Sequence, residues 1–158
     1  MKTNKVVRRF FSVMMIMTLM LASTMTVYAQ TGNVTRKASS KMTIILDPRE
    51  TGNSSSVSIT VSGLPEDAVI TKMTVNTGTM TYNGAVVCNF LTLSSSNGRT
   101  EQLAWSGQAN KTLTTSNFLA SPANGTYTIS FNATNASSLN LGTKTYQPSI
   151  TIYWDDEF

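Results

Sequence analysis

The chain lacks histidine altogether, has one cysteine and four prolines, and spends only 13 % of its 158 residues on charge. Without histidine, Ser–His and Cys–His nucleophilic systems have no base, and the commonest zinc ligand is missing. A lysine-activated serine or a carboxylate pair could work without imidazole, but the carboxylates are not spaced for it. Glu66-Asp67 follow Gly63-Leu64-Pro65 and read as a solvated turn, Glu101 falls near a strand start and Glu50 in a loop. With no cofactor motif either, the expectation is that the protein is not an enzyme. The single Cys88 excludes an internal disulfide. It lies in Val86-Val87-Cys88-Asn89-Phe90-Leu91, apolar on both alternating faces as in a strand at the middle of a sheet, which makes it a small buried hydrophobe. The sharper alternative is an exposed thiol for intermolecular pairing or catalysis.

The one long apolar run is at the start. Lys2, Lys5, Arg8 and Arg9 precede Phe10 to Leu21, and small residues at Val27 and Ala29 suit a peptidase pocket. This is the pattern of a secretory signal peptide over residues 1–29, cut after Ala29. The apolar core of about 12 residues, interrupted by Ser23, Thr24 and Thr26, falls short of the roughly 20 that a spanning helix needs. No cysteine follows to take a lipid, and Trp154-Asp155-Asp156-Glu157-Phe158 has neither a hydrophobic tail nor basic residues for wall sorting. The expectation is a secreted, extracellular protein with no membrane contact once the signal is removed. The formal charge of +4 is carried by those four basic residues, and beyond them acidic and basic side chains balance. Nucleic acid is therefore not an expected partner.

After the signal the composition turns to Ser, Thr, Asn and Gly, and period-two alternation replaces helical periodicity. Val57, Ile59 and Val61 oppose Ser58, Thr60 and Ser62; Tyr127, Ile129 and Phe131 oppose Thr126, Thr128 and Ser130. These are half-buried strands. Met42 to Leu46, Val69 to Val75, Val86 to Leu93, Arg99 to Trp105 and Ser149 to Trp154 join them, separated by turn signals such as Asn83-Gly84, Asn97-Gly98 and Pro122-Ala123-Asn124-Gly125. The expected fold class is all-β, an antiparallel β-sandwich (jelly-roll or Ig-like) of about 7–8 strands. Residues 42–158 form a single domain, and residues 30–41, without periodicity, read as a flexible leader. Tyr127 and Trp154, the latter in step with Ile150 and Ile152, belong to the expected core.

Two binding chemistries fit such a domain. Sugar rings stack on exposed aromatics, and Trp105, Tyr82 and Tyr146 are the ligand-binding candidates, with Trp105 beside Ser106-Gly107 at a strand end; packing in the core is the competing use of so large a side chain. Calcium, a hard cation, would take loop carboxylates: Asp47 and Glu50 flank Pro48-Arg49, though without the alternating spacing of a dedicated loop. No other cofactor is expected.

Several stretches resemble the P domain that follows subtilisin-like catalytic domains. They are Ser55 to Thr60, Val69-Ile70-Thr71-Lys72-Met73-Thr74-Val75, Thr81-Tyr82-Asn83-Gly84-Ala85-Val86-Val87, Leu93 to Thr100, Asn124-Gly125-Thr126-Tyr127-Thr128-Ile129-Ser130-Phe131 and Ser149-Ile150-Thr151-Ile152. Where the family has Gly-Asp-Leu this chain has Gly84-Ala85-Val86, so the acidic side chain at that turn is missing. Tyr127 and Pro148 stand where the family carries tryptophans. The resemblance implies a jelly-roll-like sandwich serving as a non-catalytic scaffold or docking module. The function expected is thus an extracellular binding or scaffold module whose partner is a cell-surface or extracellular protein or glycan. The alternatives are a glycan-binding module using exposed aromatics and a surface subunit that assembles through strand edges.

Overall fold

The computed structural model describes residues 30–156, so the signal segment and the cleavage residues Val27 and Ala29 lie outside the described residues. The described chain is all β, in twelve strands and three antiparallel sheets. The strands are β1 (Thr31–Lys37), β2 (Met42–Leu46), β3 (Thr51–Asn53), β4 (Val57–Val61), β5 (Val69–Asn76), β6 (Met80–Asn83), β7 (Val86–Ser95), β8 (Thr100–Ala104), β9 (Thr112–Thr115), β10 (Gly125–Asn135), β11 (Gly142–Tyr146) and β12 (Ser149–Asp155). They form sheets ordered β1-β12-β5-β9, β3-β10-β7-β8 with β4 also on β10, and β2-β11-β6. The antiparallel sandwich expected from the alternation is what the chain adopts.

The strand count exceeds the expectation because several strands are broken rather than added. β11 and β12 are separated only by Gln147-Pro148, and β2 and β1 pair with them in the same sense, Met42 opposite Tyr146 and Lys37 opposite Ser149. On the other flank β5 pairs with β12 and β6 with β11. The first and third sheets are therefore halves of one layer, broken where Pro148 offers no N–H to the ladder. In the same way β3 and β4 follow one another along β10.

Alternation places the core. Met42, Ile44 and Leu46 of β2, Val57, Ile59 and Val61 of β4, and Ile150 and Ile152 of β12 point inward with Leu91, Leu93, Ile129 and Phe131 into one contiguous cluster. The threonines between them face out and pair across strands: Thr35 with Thr151, Thr43 with Thr145 and Thr51 with Thr134 share hydroxyl hydrogen bonds, a contribution of about 0.2–1 kcal/mol per pair.

Residues 30–41 are not a flexible leader. Thr31–Lys37 is β1, in register with β12 over its whole length. Apart from Val34, which packs against the core, and Gly32 under Trp154, its side chains are polar, so the strand is held mainly by ladder hydrogen bonds. A Cβ at Gly32 would lie 2.8 Å from that indole. Trp154 keeps step with Ile150 and Ile152 along β1 and packs, partly buried, against the rim of the core; the pairing with β5 shifts beside it, where Thr71 of β5 is left without a partner on β12. Tyr127 is buried as expected, its hydroxyl donating to the Ala123 carbonyl at 3.0 Å.

Candidate functional site

The three aromatic candidates do not form one platform. Trp105 is 4 % exposed and Tyr146 fully buried. The two rings meet edge to face at 4.7 Å, and Phe131 completes the cluster at 5.9 Å from Trp105 and 5.3 Å from Tyr146. The chain after Trp105 closes over it: the indole N–H donates to the Gln108 carbonyl at 3.1 Å, and the Tyr146 hydroxyl donates to the Gly107 carbonyl at 2.5 Å. Ser106-Gly107, which looked like a rim, is a lid on the core, made possible by the left-handed backbone of Gly107 at φ +91. These two residues are corrected from ligand candidates to core. Tyr82 alone is on the surface, 68 % exposed.

Among the described residues no third candidate ligand joins Asp47 and Glu50. The Glu50 carboxylate accepts the Asp47 backbone N–H at 2.7 Å, and the Glu50 N–H returns to the Asp47 carbonyl at 3.1 Å. The pair closes its own turn, with Arg49 at φ 64. Among the described residues no group of three His, Cys, Asp or Glu side chains could hold a metal.

Cys88 is a free, buried thiol, as its flanking alternation implies. Burial pushes its pKa up, countered in part by the Lys144 charge and by a hydrogen bond with Tyr146 at 3.8 Å. A thiol kept protonated is a poor nucleophile. Burial likewise raises the Tyr146 phenol, with Cys88 adding to the effect.

Sequence reasoning missed Lys144. It sits on the inward face of β11 between Gly142 and Tyr146, is 8 % exposed, and donates to the Val86 carbonyl at 2.8 Å. Its ammonium converges with the Cys88 thiol and the Tyr146 hydroxyl on Gly107, where an added Cβ would lie 2.9, 3.0 and 3.1 Å from the three polar atoms. The signal was available in Gly142-Thr143-Lys144-Thr145-Tyr146, a polar-looking run whose inward residues are a glycine, a lysine and a tyrosine.

At this corner the sandwich is open. β6 is the outer strand of its sheet, paired only with β11 among the described residues, and it places Tyr82 opposite Lys144 and Met80 opposite Tyr146. All four project toward the space between the layers, but the second sheet does not reach over Tyr82. Met80, Tyr82, Gly84, Ala85, Val86, Val87 and Lys144 line the resulting recess of about 250 Å³, with Val87 50 % exposed at its mouth. A second, polar recess of about 370 Å³ begins at the next residues of β7, Cys88 and Asn89, and includes the edge of Trp105 with Ser106, Gln108 and Lys111.

No family model matches the chain, and no curated protein does. Among solved structures it is similar to a candidate secreted protein from Eubacterium rectale, with a TM-score of 0.52 and 14 % identity over 81 % of this chain. The chain spans 40 % of that protein's length. FlhE superposes with a TM-score of 0.42 and 13 % identity, covering 80 % of this chain and 96 % of FlhE. At such identity the first likeness concerns the fold, and the second carries no weight.

Proposed function

We propose that the protein is a secreted, non-catalytic β-sandwich that binds an extracellular ligand at the open corner between β6 and β7. The observation that carries this reading is the uncovered interior face at Tyr82, an aromatic ring left 68 % exposed over an apolar recess. A concave apolar site with a few convergent polar groups is the usual form of a ligand site. Non-catalytic action is supported by the missing histidine and by the protonated, covered Cys88. Secretion rests on the N-terminal basic and apolar pattern, and the resemblance to the P domain implies the same kind of docking role.

The test is retention of the secreted protein on polysaccharides and cell-wall fractions, with Tyr82→Ala alongside. Loss of retention at unchanged melting temperature is the expected result. Retention unaffected by the substitution would place the ligand elsewhere and overturn this reading. The second reading, assembly through strand edges, is favoured by the unpaired side of β6. It requires a mass in light scattering that rises with concentration, and a constant monomer would remove it.

A further inference from the structure

We propose that the recess under Tyr82 takes the carboxylate of an acidic sugar, with Lys144 as its counter-ion. This rests on the reading above and names its ligand class.

A lysine facing inward from a strand is costly. Removing an ammonium from water costs several kcal/mol unless good partners replace the solvent, and an apolar side chain at this inward position of β11 would pack more stably. Yet among the described residues Lys144 has the Val86 carbonyl as its partner and no carboxylate. An ammonium carries three donors, so two remain for an acceptor, and the acceptor that best offsets a buried cation is an anion. Where one position breaks the inward pattern of a strand at such expense, a functional reason is the first to consider.

The surroundings specify more than an anion. Tyr82 is the cross-strand partner of Lys144 on the same face, so their Cβ atoms are neighbours at about 5 Å. The ligand therefore meets a flat aromatic face at the surface and, below it, the ammonium of Lys144, 8 % exposed and held at the Val86 carbonyl, among the apolar walls of Met80, Val86 and Val87. A sugar ring presents an apolar C–H face to stack and, in a uronic acid, a carboxylate at its edge. The volume of about 250 Å³ lies below the roughly 300 Å³ at which sites for drug-sized ligands begin, and suits one ring of a longer chain. A peptide added as a strand is the less fitting occupant, because β6 offers an edge of four residues before Gly84 turns the chain away, and strand addition draws its affinity from a run of main-chain bonds.

The experiment is calorimetric titration of the secreted protein with oligogalacturonate and with its fully methyl-esterified form, which keeps the ring and loses the charge. The acid should bind at least tenfold more tightly than the ester, and less tightly as salt rises. Lys144→Met should abolish that preference. Should that variant fail to fold, Val87→Glu at the exposed mouth decides: it should weaken the acid at least tenfold more than it weakens the ester, and an equal loss for both would overturn the ion pair. Equal binding of acid and ester, both lost in Tyr82→Ala, would overturn the carboxylate assignment and leave the binding site standing. Polyglutamate bound as tightly as oligogalacturonate would overturn the choice of a sugar. Silence toward both sugars, with wild type and Tyr82→Ala alike across the polysaccharide panel, would overturn this inference and the binding reading together.

Discussion

Tyr146 and Tyr82 stand on the same face of the same small sheet, close together along its ladder, yet one is fully buried and the other 68 % exposed. Both belong to strands that look alike in sequence, Thr-Tyr within short polar runs. Tyr146 is covered because Trp105 and Phe131 from the opposite layer reach it and the Gly107 turn folds over it. Tyr82 has no such cover, since it lies on the outer strand where the opposite layer ends. Which face a side chain takes is a property of its strand; whether that face is closed depends on the extent of the layer above it.

The contrast can be broken from the closed side first. Trp105→Ala should cost about 3–5 kcal/mol, as expected for truncating a buried aromatic, measured by urea denaturation; a change under 1 kcal/mol, on the order expected of surface sites, would mean the indole is not packed as described. Tyr146→Phe should cost about 1–3 kcal/mol by leaving the buried Gly107 carbonyl without its donor. Gly107→Ala should lose more than about 1 kcal/mol, because alanine is strained at φ > 0 and its methyl would meet Lys144, Cys88 and Tyr146.

A pH series sharpens the same contrast. Burial pushes the Tyr127 phenol up to about 12 from 10.0. The unfolded chain therefore loses this proton first, so the phenol's contribution to stability is complete below about 10 and lost as pH climbs toward about 12. Stability should fall through this range, and Tyr127→Phe, although less stable at neutral pH, should lose less of what it has; parallel urea midpoints for the two proteins would refute the linkage. The smallest effect belongs to the open side: Tyr82→Ala should shift stability by no more than about 0.5 kcal/mol, read from the same denaturation curves.

Much of the fold was legible in the chain. Val57–Val61 and Met42–Leu46 announce themselves because every second residue is apolar, and Cys88 was readable as core from its apolar neighbours. β1, β6, β9 and β11 were not, for a shared reason: at most one inward position in each is aliphatic (Val34, Met80, Leu113), the others carrying polar residues, glycine or tyrosine, and what makes them strands is pairing with residues far away in sequence. For the site, the sequence offers Tyr82 together with Trp105 and Tyr146, because exposure cannot be read from residue type. Lys144 is not legible as a site residue, because a lone lysine among threonines looks like a solvated surface.

The sequence by itself determined the all-β class, the alternation that sorts inward from outward side chains, and the lack of imidazole chemistry, because these depend on local period and on which residues exist. Only the tertiary structure decided that one layer breaks at Gln147-Pro148, that Gly107 seals Trp105 inside, and that β6 overhangs the sandwich with Tyr82 bare above a buried lysine. Those outcomes follow from where distant strands end relative to one another, and no short stretch of chain contains that information.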